Sequence, residues 1–171
     1  MLGAPAAITE ATDRMNVILL GRHSEQIRKA VGHGKTIAVL GLAYKPDTSV
    51  VEESQGLALA QSLLGNGNRV IVFDPLAMDN AKQVLKDGVE YAQSAREGLS
   101  KADAVVITNP SREFQSLRVE DFPRRSSPVL VFDCWRLLQG KLGQCGWIDY
   151  RPLGVQRHRE DKSRQFASLW Q

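Results

Sequence analysis

The chain has 171 residues, 43% of them hydrophobic and 24% charged, with a formal net charge of +3. A chain of this length hides about two-thirds of its unfolded surface on folding, enough for one cooperative core, and such a composition does not fit a disordered protein. No apolar run approaches the roughly 18 residues that cross a bilayer, so no membrane association is expected, and so modest a charge does not demand nucleic acid.

The first residues, Met1 to Ala7, are apolar but carry no basic leader and give way to Glu10 and Asp13. That differs from a secretory signal, so a cytoplasmic setting is expected. Apolar residues at Ile8, Ala11, Met15, Ile18, Leu19 and Ile27 recur near a 3.6-residue period and stop at Gly32-His33-Gly34. They predict one long helix over residues 1–33, whose apolar stripe must lie against the following domain or a second copy of itself. A homodimer is therefore expected.

From Lys35 the pattern changes to short, almost unbroken apolar runs: Thr36 to Leu40, Arg69 to Phe73, Ala104 to Thr108 and Val129 to Phe132. Runs without polar alternation predict strands covered on both faces. Helical segments at Glu53 to Leu64, Ala77 to Leu85 and Ser94 to Leu99 supply the cover, and Trp147 to Tyr150 is a candidate edge strand. The fold class is α/β: a Rossmann-like, three-layer domain over 34–150 with a mostly parallel sheet, preceded by the long helix. Residues 151–171 read as a polar tail, broken by Phe166 to Trp170.

In such sheets ligands bind beyond the carboxyl ends of the strands, which selects four loops. The first, Gly41 to Ser49, is the richest: Gly41 allows a tight exit, Lys45 offers a mobile charge, and Thr48 and Ser49 offer hydroxyls ahead of a helix, a set that suits a phosphate. Ser49 has a second reading, because Ser49 to Glu52 has the spacing of a helix capping box. Asp74 sits where an acid often accepts hydrogen bonds from a ribose, and equally where Asp-Pro starts a helix. Arg112 and Arg136 present planar forks to a diphosphate or to solvent. Cys134 and Cys145 read as free, structural thiols, with a nucleophilic Cys134 acidified by Arg136 as the other reading. His23, His33 and His158 share no ligand spacing, so no metal site is expected.

The stretch Ile37-Ala38-Val39-Leu40-Gly41-Leu42-Ala43-Tyr44-Lys45-Pro46-Asp47-Thr48 closely resembles the opening of the C-terminal domain of UDP-glucose/GDP-mannose dehydrogenases. The resemblance continues through Glu53-Ser54, Val70 to Pro75, Ala102 to Thr108, Glu113-Phe114 and Val129 to Asp133. Enzymes of that family oxidise the C6 alcohol of a nucleotide sugar to a carboxylate with NAD, through a cysteine thioester, and their C-terminal domain grips the nucleotide sugar. The resemblance implies that Tyr44 and Lys45 contact the substrate, a UDP-sugar ahead of a GDP-sugar, and that the first helix ends the central dimerisation segment.

Departures from the family pattern limit that transfer. Glu52 stands where the family has an arginine often implicated at the NAD site, and Val50 replaces an acid. The Asp-Gly-Arg-Asn pattern reads Asp133-Cys134-Trp135-Arg136, which moves the arginine by one place, so Arg136 is a candidate substitute. No glycine fingerprint of an NAD domain and no catalytic-cysteine segment is recognisable, so no catalytic residue and no cofactor site are assigned. The chain by itself is expected to bind no NAD and to be inactive, with a missing N-terminal enzyme portion as partner. A non-catalytic nucleotide-binding or dimerisation module is the other reading.

Overall fold

The computed structural model describes residues 6–64 and 67–154. Six strands form one sheet in the order β3-β2-β1-β4-β5-β6, where β1 is Thr36–Leu40, β2 Arg69–Phe73, β3 Glu90–Tyr91, β4 Ala104–Ile107, β5 Val129–Asp133 and β6 Ile148–Pro152. Every adjacent pair is parallel, with Leu40 beside Phe73 on one side and beside Ile107 on the other. This is the doubly wound order in which the winding reverses between β1 and β4 and leaves a crevice at the carboxyl ends of those strands.

The unbroken apolar runs have a direct cause. Side chains alternate along a strand, so Ile37 and Val39 enter one core while Ala38 and Leu40 enter the other. Helices α1 (Ala7–Val31), α2 (Gln55–Leu64) and α3 (Met78–Leu85) cover the first face. Helix α4 (Ala95–Lys101) and the single turns α5 (Arg112–Gln115) and α6 (Gln139–Leu142) cover the second, where Leu99, Phe114 and Leu142 are fully buried.

Two halves of α1 behave differently. Its carboxyl half joins the core: Ile27 and Val31 are buried, the Ser24 and Ser62 hydroxyls lie 2.9 Å apart, and Arg28 donates to the Ser62 carbonyl at 3.1 Å. Its amino half stands clear, with Ile8, Met15, Val17, Ile18 and Leu19 exposed, Val17 by 70%. Among the described residues no helix is long and apolar enough to cross a membrane.

The expected strands agree with β1, β2, β4, β5 and β6 to within a residue or two, but β3 was not expected: Glu90–Tyr91 is a two-residue edge strand without an apolar run. Strand β6 continues through Pro152, past the boundary expected at 150. The rest of the polar tail from 155, including His158 and the Phe166 to Trp170 stretch, lies outside the described residues.

Candidate functional site

The crevice between β1 and β4 is drawn tight by two glycines. A Cβ on Gly41, whose φ is +107°, would fall 2.7 Å from Thr108 Oγ1, and one on Gly56 would fall 2.2 Å from the Gly41 carbonyl oxygen. Only glycine at both positions lets the amino end of α2 back onto the end of β1. The Thr108 hydroxyl closes the seam by donating toward the Leu40 and Gly41 carbonyls at 3.0 and 2.5 Å.

Asp74, at the carboxyl end of β2, is 2% exposed and accepts four backbone N–H groups. Its Oδ1 takes Leu76 and Ala77, both at 2.9 Å, and its Oδ2 takes Leu42 and Ala43 at 2.7 and 3.0 Å. The helix-cap expectation for Asp74 is corrected: α3 starts at Met78 with Ala77 as N-cap and no side-chain cap, and Asp74 instead fixes the turn ahead of it. The second pair occupies the backbone amides of the first βα turn, the groups that cradle a pyrophosphate in dinucleotide-binding folds. With that place held by a carboxylate and with Glu52 exposed on the same loop, this turn does not fit an NAD pyrophosphate. The phosphate-suited reading of the loop therefore narrows to its side chains.

The loop after β1 is pinned at its base and open at its tip. Tyr44 N–H donates to the Val50 carbonyl at 2.8 Å, and Asn80 Nδ2 donates to the Ser49 carbonyl at 2.7 Å. Between these ties, Tyr44 is 61% exposed, Lys45 is exposed, and Asp47 turns the chain with φ +59°. The capping-box expectation for Ser49 to Glu52 is corrected. Helix α2 starts at Gln55, and Ser54 Oγ caps it by accepting Leu57 N–H at 3.2 Å. Thr48 and Ser49 thus lie too far upstream to present hydroxyls at the helix end.

Asp133 repeats the Asp74 arrangement at the end of β5. It is fully buried, and its oxygens accept Trp135 N–H at 3.1 Å, Leu138 N–H at 2.9 Å and the Tyr150 hydroxyl at 2.8 Å. Burial and that bond push the Tyr150 hydroxyl above the usual phenol range. The turn so fixed holds Arg136 at φ +59°, exposed at the rim. A non-glycine residue in that region costs about 1 kcal/mol or more, which the Asp133 bonds offset. Cys134 is half-buried beside Asp133, and desolvation first, then the Asp133 charge, pushes its thiol up to about 12. That overturns the nucleophile reading and leaves a structural thiol.

Lys45 and Arg136 stand on loops separated by two interstrand steps, about 10 Å of sheet. Arg112 lines a crevice of about 230 Å3 among the loops after β1, β2 and β4, together with Asp47, Thr48, Asp74 and Asn109. None of these three cations makes an ion pair among the described residues, whereas Arg69, Arg96, Lys101 and Arg125 elsewhere do. Asp47, Glu52, Glu53 and Glu113 share the rim, so no broad positive field covers it. No group of three His, Cys, Asp or Glu suited to a metal occurs among the described residues. The sequence reading missed the long-range bonds of Asp74 and Asp133 and the brace at Thr108. The Asp at the end of each strand was the only signal for them.

Comparison with known proteins follows the same outline. The UDP-glucose/GDP-mannose dehydrogenase family, UDP binding domain, matches residues 38–140. The UDP-glucose 6-dehydrogenase AglM of Haloferax volcanii is 36% identical over 120 residues, covering 70% of this chain and 26% of that protein. The UDP-glucose 6-dehydrogenase of Rhizobium meliloti is 34% identical over 134 residues, covering 74% of this chain and 30% of that protein. Among solved structures, a UDP-glucose dehydrogenase from Pyrobaculum islandicum superposes with a TM-score of 0.65 at 33% identity, over 77% of this chain and 29% of that one. The chain spans roughly a quarter to a third of the length of these relatives. It belongs to the UDP-glucose/GDP-mannose dehydrogenase family and corresponds to its UDP binding domain.

Proposed function

We propose that this chain is the nucleotide-sugar-binding domain of an NAD-dependent 6-dehydrogenase that oxidises the sugar C6 alcohol to a uronate in its complete form. The observation that carries the reading is the match of residues 38–140 to the UDP binding domain. It falls on the part of the chain that brings Tyr44, Lys45 and Arg136 to one rim as exposed side chains on braced loops.

In this reading Lys45 donates to a phosphate or sugar oxygen, Tyr44 covers the ligand, and Arg136 takes the place of the family arginine one position earlier. The domain takes a UDP-sugar in preference to a GDP-sugar. Hydride acceptance by NAD belongs to the remainder of the enzyme. Residues 1–33 end a central dimerisation segment, the binding domain runs from residue 34 through β6, and a polar tail follows it. The enzyme works in the cytoplasm in polysaccharide biosynthesis.

Isothermal titration of the chain with UDP-glucose, GDP-mannose and NAD tests this. Saturation by UDP-glucose ahead of GDP-mannose, with none by NAD, is expected; saturation by NAD alone would overturn it. A second reading, a module that serves assembly only, is favoured by the exposed apolar residues of α1 and requires dimerisation without any nucleotide binding.

A further inference from the structure

Arg136 is exposed at the rim, yet the turn that carries it, between β5 and α6, is held from three directions. From its own strand, the buried Asp133 carboxylate accepts the Trp135 and Leu138 N–H groups that flank the arginine. From β6, the Tyr150 hydroxyl donates to Asp133 Oδ2 at 2.8 Å, the same oxygen that takes Leu138. From the end of β4, the Thr108 carbonyl accepts the Trp135 indole Nε1–H at 2.8 Å, although Trp135 is 56% exposed. Thr108 is also the residue whose hydroxyl closes the seam at Gly41, where the Lys45 loop begins. One residue thereby ties the Arg136 turn to the base of the Lys45 loop.

We propose that Tyr150 and Trp135 are positioning residues for nucleotide-sugar binding: they hold the turn from which Arg136 meets the ligand. The assignment rests on the nucleotide-sugar reading above and adds how this cation is aimed. Arg136 stands at φ +59°, a region that residues other than glycine keep only where their surroundings impose it. A return to an ordinary negative φ would redirect its Cα–Cβ bond and carry the guanidinium away. Arg136 forms no ion pair among the described residues, so its direction comes from its backbone, and the backbone is set by the groups around Asp133. Trp135 stands where the family pattern has its arginine; here the indole supplies a tie and the next residue supplies the charge. Burial first, then the Asp133 bond and charge, raises the Tyr150 hydroxyl, while the Arg136 charge pulls it the other way, so these two side chains lie within electrostatic reach. Removing that hydroxyl leaves the buried Asp133 oxygen one donor short, at the point on which the turn depends.

Calorimetric titration of UDP-glucose into the full chain, with Tyr150→Phe and Trp135→Phe each made alone and in an Arg136→Ala background, tests the proposal. Each phenylalanine keeps an aromatic ring and removes the donor. Alone, each substitution should weaken UDP-glucose by about threefold to tenfold, the scale of one lost hydrogen bond. In the Arg136→Ala background neither should weaken it further, because the group they aim is already gone. A merely structural role would not produce that coupling. As a spectroscopic signature, the Arg136 Nε–H resonance should shift with UDP-glucose in the unaltered chain and much less in the phenylalanine variants. Unchanged affinity in the single variants, or an equal loss with Arg136 absent, would overturn the positioning role and leave the nucleotide-sugar reading intact. No saturation of the unaltered chain by UDP-glucose would overturn that reading and the role with it. Trp135 is exposed, so its variant gives the answer if Tyr150→Phe fails to fold.

Discussion

The Asp74 carboxylate accepts the Leu42 amide at 2.7 Å across the gap between the ends of β2 and β1. A single side chain thereby joins two loops of the rim. Four N–H groups depend on it, three of them buried, and each buried one left unsatisfied costs about 1–3 kcal/mol. Asp74→Ala should therefore lower stability by about 3 kcal/mol or more in urea unfolding. A loss below about 1 kcal/mol would mean that the four bonds are not made.

The close approach of Gly56 to Gly41 gives a second prediction. An added methyl would lie 2.2 Å from the Gly41 carbonyl oxygen, which is backbone and cannot swing aside. Gly56→Ala should destabilise by about 1–3 kcal/mol or more through overpacking, although alanine favours a helix intrinsically. A neutral or stabilising effect would contradict the packing at this seam.

The raised Cys134 thiol makes stability pH-dependent with a definite sign. Its folded pKa, about 12, exceeds the unfolded value near 9, so the unfolded chain releases its proton first. Stability is fully present below about pH 9 and falls as pH rises toward 12, by up to about 1.4 kcal/mol per pH unit from this group. The Tyr150 hydroxyl, also raised, adds to the decline from about pH 10. Cys134→Ala should flatten the curve between pH 9 and 10, as urea unfolding at both values would reveal, and Cys134 should resist alkylation at pH 8.

The exposed residues Val17 and Ile18 on the free half of α1 require a partner surface if the helix is an assembly element. Sedimentation equilibrium of the chain should show a dimer, and Val17→Glu with Ile18→Glu should return it to monomer without loss of nucleotide binding. A monomer at all concentrations would remove α1 from any self-association.

How much was legible beforehand depended on range. Strands β1 and β2 were readable because both faces are buried, so their runs carry no polar interruption, and α1 because 25 residues give its period room to show. Strand β3 has two residues and takes its pairing from β2, so no local pattern announces it. The start of α2 was misplaced because two serines, Ser49 and Ser54, offer cap chemistry, and only the tie between Tyr44 and Val50 assigns the first to a loop. For the site, Tyr44, Lys45 and Arg136 were found by strand-end position and family pattern. The burial of Asp74 and the orientation of Trp135 arise from contacts 27 to 32 residues apart in sequence, which no spacing rule reaches.

The central claim concerns Lys45, exposed at the tip of a loop braced on both sides and without an ion pair among the described residues. Calorimetric titration of UDP-glucose into the unaltered chain and into Lys45→Ala measures it most directly. The account predicts saturable binding that the substitution weakens by about 1–3 kcal/mol, the range for a lost charged hydrogen bond, with an unchanged fold by circular dichroism. Equal affinity in the two proteins would contradict it.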